Sequence, residues 1–186
     1  NKRLGILAVV AVVMVLWATV QSRMAGRGGG KPSDGPTYLI QGLDTTAIGS
    51  IVVGHGDGAV KIERQGSQYV VVNKNNYPAD AKQITDLITK ALDIKTSEMY
   101  TDNPKNHEEL ELTEEKARHV VSFLKQDGSL LTGVVIGKSQ ENGQDTYVRR
   151  ASDNTVYVAQ NVPWFRSGAL EYVNQELVAA KREDVN

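Results

Sequence analysis

An uninterrupted apolar run stands near the start of the chain. Residues 4–20 read LGILAVVAVVMVLWATV and carry no charge. As a helix this run would be about 25 Å long, close to the roughly 30 Å hydrocarbon core of a bilayer. The pattern predicts one membrane anchor over residues 1–24, with Trp17 at the membrane interface. A cleaved signal peptide is the alternative, but no clear A-x-A cleavage site follows the run.

Two further features bear on the partners and the direction of the anchor. Gly5, Ala8 and Ala11 recur at three-residue steps, and such a small-residue face lets membrane helices pack closely. The alternative is that Gly and Ala are simply common in membrane spans. Basic residues flank the run on both sides, two before it and three after it. We favour a domain outside the cytoplasm, because a short N-terminal tail normally stays inside.

A stretch rich in glycine and proline follows the anchor. Residues 25–37 read AGRGGGKPSDGPT, in which the glycines loosen the backbone and the prolines cannot continue a helix. The run is not a phosphate-binding loop, because no strand precedes it and no G-K-[ST] follows at the required spacing. We therefore predict a linker over residues 25–37 and a soluble domain over residues 38–186.

The first half of this domain alternates short β-rich segments with tight turns. Strands are predicted over residues 50–53, 59–64 and 69–72, with glycine-containing hairpin turns between them. A helix is predicted next, with Asp80 as its N-cap and one apolar stripe at i, i+3, i+4 and i+8. The residues of the stripe are Ile84, Leu87, Ile88 and Leu92.

The second half repeats this arrangement. Strands are predicted over residues 119–124, 130–136, 146–149 and 155–158. A short helical piece precedes them, and an amphipathic helix capped by Ser167 is predicted to close the domain. Its apolar face would consist of Leu170, Val173 and Leu177. The predicted fold class is α+β: an N-terminal transmembrane helix, then antiparallel β-hairpins with two or three packed helices and a weak internal duplication.

Composition narrows the classes of function. Sixteen of the 21 basic residues and all 22 acidic residues follow position 31, so this part of the chain has a net charge of −6. An acidic domain is a poor candidate for nucleic acid, whose binding needs a basic face that displaces counterions. The chain has no cysteine, which excludes disulfides, cysteine nucleophiles and thiolate metal sites.

Side chains capable of catalysis form no recognisable constellation. His55, His107 and His119 lack a second histidine three or four positions away. His119 opens an apolar strand, which favours a structural role over that of a base or ligand. Glu108 and Glu109 are adjacent on one turn instead of converging across a cleft. We predict no catalytic residue, no cofactor and no metal site, and keep an enzyme built around His119 and this turn as an alternative.

Trp164 and Phe165 form an aromatic pair just before the predicted closing helix. Two large aromatic side chains in such a position are more often part of a core than a binding platform. If they are exposed, they would form a docking surface beside a groove for a peptide, glycan or lipid.

The order of these features resembles a bacterial family, the domain of unknown function 4340. The resemblance rests on IVVGHGDGAVKIERQGSQYVV, on YPAD with the helix that leads into ALDIKTSE, on VVSFLKQDGSLLTGVVIGK, and on two later strands. It covers roughly residues 43–177 and implies an extracytoplasmic domain on an N-terminal membrane helix. Some members are associated with gliding-motility-type ABC transport, so the resemblance also implies an auxiliary role of that kind. Many relatives carry the unit in longer or tandem form, whereas this chain has one unit, so a stand-alone subunit remains an alternative.

Together these observations favour a non-catalytic, single-pass accessory subunit of a larger membrane complex. Its expected partners are the lipid bilayer and other membrane protein subunits, in a transport, motility, respiratory or photosynthetic assembly. Its expected place is the bacterial inner membrane, with a periplasmic domain. The first alternative is an extracytoplasmic binding module for a peptide, glycan or lipid.

Overall fold

The computed structural model describes residues 37–141 and 143–175. Several predicted features lie outside the described residues: the membrane anchor with Gly5, Ala8, Ala11 and Trp17, nearly all of the linker, and Leu177. Within the described ranges, no helix is both long and apolar enough to cross a bilayer. The transmembrane helix of the predicted fold class therefore has no counterpart in this part of the chain.

Ten strands form one sheet in the described residues, and every neighbouring pair is antiparallel. The strands are β1 (Thr37–Tyr38), β2 (Ser50–Val53), β3 (Val60–Gln65), β4 (Gln68–Val71), β5 (Tyr77–Pro78), β6 (Lys95–Thr101), β7 (His119–Leu124), β8 (Leu130–Ser139), β9 (Asp145–Arg150) and β10 (Val156–Gln160). Their order across the sheet is β1-β6-β10-β9-β8-β7-β2-β3-β4-β5.

Helix α1 (Ala81–Leu92) forms where it was predicted. The carboxylate of Asp80 accepts hydrogen bonds from the backbone N–H groups of Lys82 at 2.8 Å and Gln83 at 3.4 Å, which confirms it as the N-cap. The apolar stripe faces the sheet, as expected for a helix with one buried side. Ile84 and Leu87 of the stripe are buried together with Ala91, and Ile88 and Leu92 are partly buried.

The helical content of the domain differs from the prediction. The described residues contain α1 as their one α-helix, so an α+β fold with two or three packed helices is wrong, and the domain is mainly β. The predicted closing helix is a single 3₁₀ turn, Ala169–Tyr172. Directly after it, Val173 pairs with Ala79, and the backbone N–H of Asn174 donates to the carbonyl of Pro78. This pairing beside β5 withdraws the backbone donors that a continuing helix would need.

Each face of the sheet carries its own apolar cluster. Val134 and Ile136 of β8 point into the first cluster, and Val135 points into the second. Helix α1 covers the first cluster, whereas the connection between β6 and β7 covers the second with Leu110 and Leu112. Because both faces are covered, β8 is buried over six consecutive residues instead of alternating.

The connection from β6 to β7 is held against the sheet by polar contacts. The backbone N–H of Lys138 donates to the carbonyl of Leu110 at 3.0 Å, and Nε of Arg149 donates to the carbonyl of Leu112 at 2.9 Å. Gly137 lies directly beneath, where an added Cβ would stand 2.2 Å from the carbonyl oxygen of Leu110. This connection is therefore a packed layer of the domain.

The two predicted hairpin blocks meet at the centre of the sheet. Strands β2 to β5 and strands β7 to β10 each run in sequence order, and the β2–β7 pair joins them. In this pair Ile51 lies opposite Phe123, and both side chains are fully buried. Within the described residues, α1 follows the first block alone, so the likeness of the blocks does not extend to their helices.

Candidate functional site

The outer edge of β6 is the first candidate surface. Strand β1 pairs with only the first two residues of β6, Lys95 and Thr96. Residues 97–101 have no neighbouring strand on that side in the described part of the chain. Met99 and Tyr100 on this stretch are 62% and 50% exposed. An open strand edge beside exposed apolar side chains is a template for strand addition by a partner.

Tyr100 on β6 packs against a side chain of β9. The ring of Tyr100 lies 4.6 Å from that of Tyr147, a buried member of the second cluster, in a tilted arrangement. Pairing between β6 and β10 shifts register on both sides of Tyr157. Such irregularities re-aim side chains along a strand. The edge therefore presents Tyr100 from a supported position.

A polar cleft of about 620 Å³ is the second candidate site, at the end of the sheet where β7 begins and β8 ends. Arg118 lines it, and its Nη1 donates to the hydroxyl of Ser139 at 2.8 Å. The rim includes Gln160 and Asn161 at the end of β10. Asn161 has φ of 52°, a left-handed conformation that asparagine tolerates better than most residues. It turns the chain from β10 towards Trp164, which also lines the cleft.

Trp164 and Phe165 do not lie on a common surface. Phe165 is 1% exposed and belongs to the first apolar cluster, whereas Trp164 is 69% exposed. Phe165 is therefore part of the core. Of the two aromatic residues, Trp164 alone is exposed enough to belong to the predicted docking surface. The ring of His119 lies near both, 4.4 Å from the ring of Trp164 at 82° and 6.2 Å from that of Phe165.

The imidazole of His119 is held in a partly apolar setting. Its Nε2 is buried and has no hydrogen-bond partner among the described residues. Burial lowers the pKa of His119 below its ordinary value, and the positive charge of Arg118 adds to this effect. The ring therefore stays neutral at pH values at which an exposed histidine would begin to take up a proton.

His119 is expected to make the stability of the domain depend on pH below about 6.5. Its folded-state pKa is depressed, so the unfolded chain binds a proton that the folded state resists. The contribution is fully present above the unfolded pKa and declines as pH falls from there towards the folded pKa. Urea titrations at a series of pH values measure the free energy of unfolding. As the pH falls, this free energy should decrease less steeply for His119→Gln than for the unaltered chain. Equal slopes for the two proteins would contradict this assignment.

The turn that contains His107 and two glutamates has structural contacts. His107 is buried, and its Nε2 donates to the backbone carbonyl of Asn154 at 2.8 Å. Glu108 accepts from Nζ of Lys116 at 2.8 Å, and this contact lowers the pKa of Glu108. Glu109 lines a separate groove beside Tyr100 and not the cleft of His119. In the described residues, no group of three or more His, Asp or Glu side chains is arranged to hold a metal.

The residues of both candidate sites carry little sequence signal. Strand β6 was not predicted, because only Thr96 of its seven residues is buried and no apolar alternation results. Arg118, Gln160 and Asn161 are separated in sequence and meet only through the pairing of β7, β8, β9 and β10. Trp164 was predicted as a candidate, on the strength of its size alone.

Comparison with known families agrees with the resemblance noted in the sequence. A family model described as domain of unknown function (DUF4340) matches residues 70–186, which is more than half of the chain. No curated protein and no solved structure matches this chain. The matched residues include every strand from β5 to β10 as well as α1. This chain belongs to the DUF4340 family.

Proposed function

We propose that this chain is a non-catalytic accessory subunit of a membrane protein complex, and that its β domain binds a partner subunit through the outer edge of β6. The apolar segment of residues 4–20 would attach the chain to the bilayer, with the domain outside the cytoplasm. The observation that carries the proposal is the edge over residues 97–101, which is open within the described part of the chain, with Met99 and Tyr100 exposed on it.

The chemistry of this edge suits a partner strand. Backbone N–H and C=O groups along a strand edge supply hydrogen bonds regardless of sequence, while alternate side chains supply selectivity. Natural proteins normally protect such edges with charges, prolines or short strands. Among the residues that the structure describes, β1 pairs with Lys95 and Thr96 and leaves the rest of this edge of β6 without a strand. A subunit that added a strand beside residues 97–101 would complete this protection and cover Met99.

The arrangement of ionisable groups supports a binding role over a catalytic one. His119 lines the cleft and Glu109 lines the groove beside Tyr100, so these two side chains do not form the converging pair that general acid–base catalysis requires. Glu108 is already engaged with Lys116. The candidate surfaces instead present Met99, Tyr100, Trp164 and Arg118, and residues of these types are enriched at protein interfaces.

The Met99→Lys substitution tests the proposal. A lysine at the edge places a charge where the partner strand would pack, so recovery of the partner should fall about tenfold or more. The measurement is quantitative co-purification from membranes extracted in mild detergent. Leu170→Lys is the matched control, because Leu170 is 61% exposed against 62% for Met99 but lies in the closing 3₁₀ turn. A set of co-purified subunits that is the same for both variants and the unaltered chain would refute the proposal.

A further inference from the structure

The cleft beside Trp164 has a composition that neither the fold nor the β6 edge explains. Its lining includes the exposed side chains of Arg118, Ser139, Gln160 and Asn161, and the buried hydroxyl of Thr146. Those groups converge at one end of the sheet from β8, β9, β10 and the residue before β7. A concave site with convergent donors and acceptors is the usual form of a ligand site.

Trp164 offers this cleft a flat apolar platform. Its ring meets the ring of His119 nearly at right angles, at 82°. In such an edge-to-face contact His119 can cover at most one face of the indole, and Trp164 lines the cleft while remaining 69% exposed. The negative face of an indole attracts the weakly positive C–H groups of a flat ring. Sugar rings present such C–H groups on one face and hydroxyls around the rim.

The polar groups around the platform match a sugar ring with an acidic substituent. Amide side chains such as Gln160 and Asn161 both donate and accept, which suits hydroxyl groups. Arg118 is the one charged side chain in the described lining, and its guanidinium is already oriented by Ser139. A guanidinium binds a carboxylate through two parallel hydrogen bonds. No carboxylate side chain is among the described lining residues to repel an acidic ligand.

We infer that the cleft beside Trp164 binds a carboxylate-bearing saccharide, with the sugar ring on the indole and the carboxylate on Arg118. An acidic peptide fits less well, because peptide anchors bind by burying apolar side chains in pockets, whereas most of the exposed surface of this cleft is polar. The described lining of the cleft contains no residue of β6, so this inference does not depend on the accessory role.

Calorimetric titration of the full chain in detergent tests this inference. The probes are hexagalacturonate, the same oligosaccharide with its carboxylates methyl-esterified, and hexaglutamate. Hexagalacturonate should bind, and the neutral ester and the peptide should each bind about tenfold more weakly. Arg118→Gln should remove the preference for the acid over the ester while weak binding persists. Trp164→Ala should weaken binding of both sugars about tenfold or more.

Tyr77→Ala is the matched control, because Tyr77 is an exposed aromatic on β5 and lies outside the cleft. It should bind hexagalacturonate as the unaltered chain does. Thermal unfolding of each variant checks that the fold is kept, and the Arg118→Gln result carries the test if Trp164→Ala is unstable. Absence of hexagalacturonate binding, equal binding of hexaglutamate, or full binding by Trp164→Ala would each overturn the inference.

Discussion

Replacing Phe123 with alanine is expected to lower the free energy of unfolding by about 3–5 kcal/mol, the range for removing a buried aromatic ring from a core. Phe123 is fully buried in the first apolar cluster. It lies opposite Ile51 on β2 and opposite Thr132 on β8, at the pair that joins the two halves of the sheet. The lost ring would leave a cavity that rigid strands on both sides cannot close.

Urea unfolding followed by circular dichroism measures this change. Leu130→Ala is the control, because Leu130 is 43% exposed at the start of β8 and should change the free energy of unfolding by less than about 1 kcal/mol. The comparison examines the topology as well as the packing. If Phe123→Ala cost no more than the control, the β2–β7 pair would not be the central contact of the sheet.

The Gly137→Ala substitution is expected to destabilise the domain by about 1–3 kcal/mol or more, the range for overpacking a close contact. The new Cβ would stand 2.2 Å from the carbonyl oxygen of Leu110 and 2.9 Å from Cγ of Leu112. The first neighbour is backbone, so the whole covering connection must move. That movement would also lengthen the hydrogen bond from Lys138 to Leu110.

Gly58→Ala is the matched control for this substitution. No atom lies within 4 Å of the Cβ that it would add, and φ at Gly58 is not in the left-handed region. Alanine there should be neutral or slightly stabilising, because it restricts the unfolded chain. Proteolysis of the connection between β6 and β7 should also speed up in Gly137→Ala. Stability equal to that of Gly58→Ala would show that this connection is not a packed layer.

The central strands and α1 could be predicted because the signals for them lie within a few residues of one another in the sequence. The predicted bounds of β2 and β7 are those observed, and α1 begins after the predicted cap Asp80. Alternation, glycine turns and a capped apolar stripe are signals that depend on near neighbours. Predictions from these signals are correct where local preference and tertiary packing favour the same structure.

The elements that sequence pattern missed depend on contacts far along the chain. Strand β6 exists because it pairs with β10, although its side chains show no alternation. The closing segment has apolar residues at helical spacing, yet its backbone pairs with β5, and Tyr172 is buried in place of Leu170. Tertiary pairing overrides local propensity in both cases. The candidate sites follow the same rule, since Met99 and Arg118 gain their roles only from the strand order.

Site-specific photo-crosslinking from position 99 shows whether the edge of β6 binds a partner subunit. A photoreactive amino acid is placed at Met99 or, as a control, at Leu170 of the full chain, and intact membranes are irradiated. We predict a crosslink from position 99 to a different subunit and none to that subunit from position 170. If position 99 gave no crosslink, or crosslinked only to residues 1–36 of its own chain, this edge would not be the binding surface for a partner subunit.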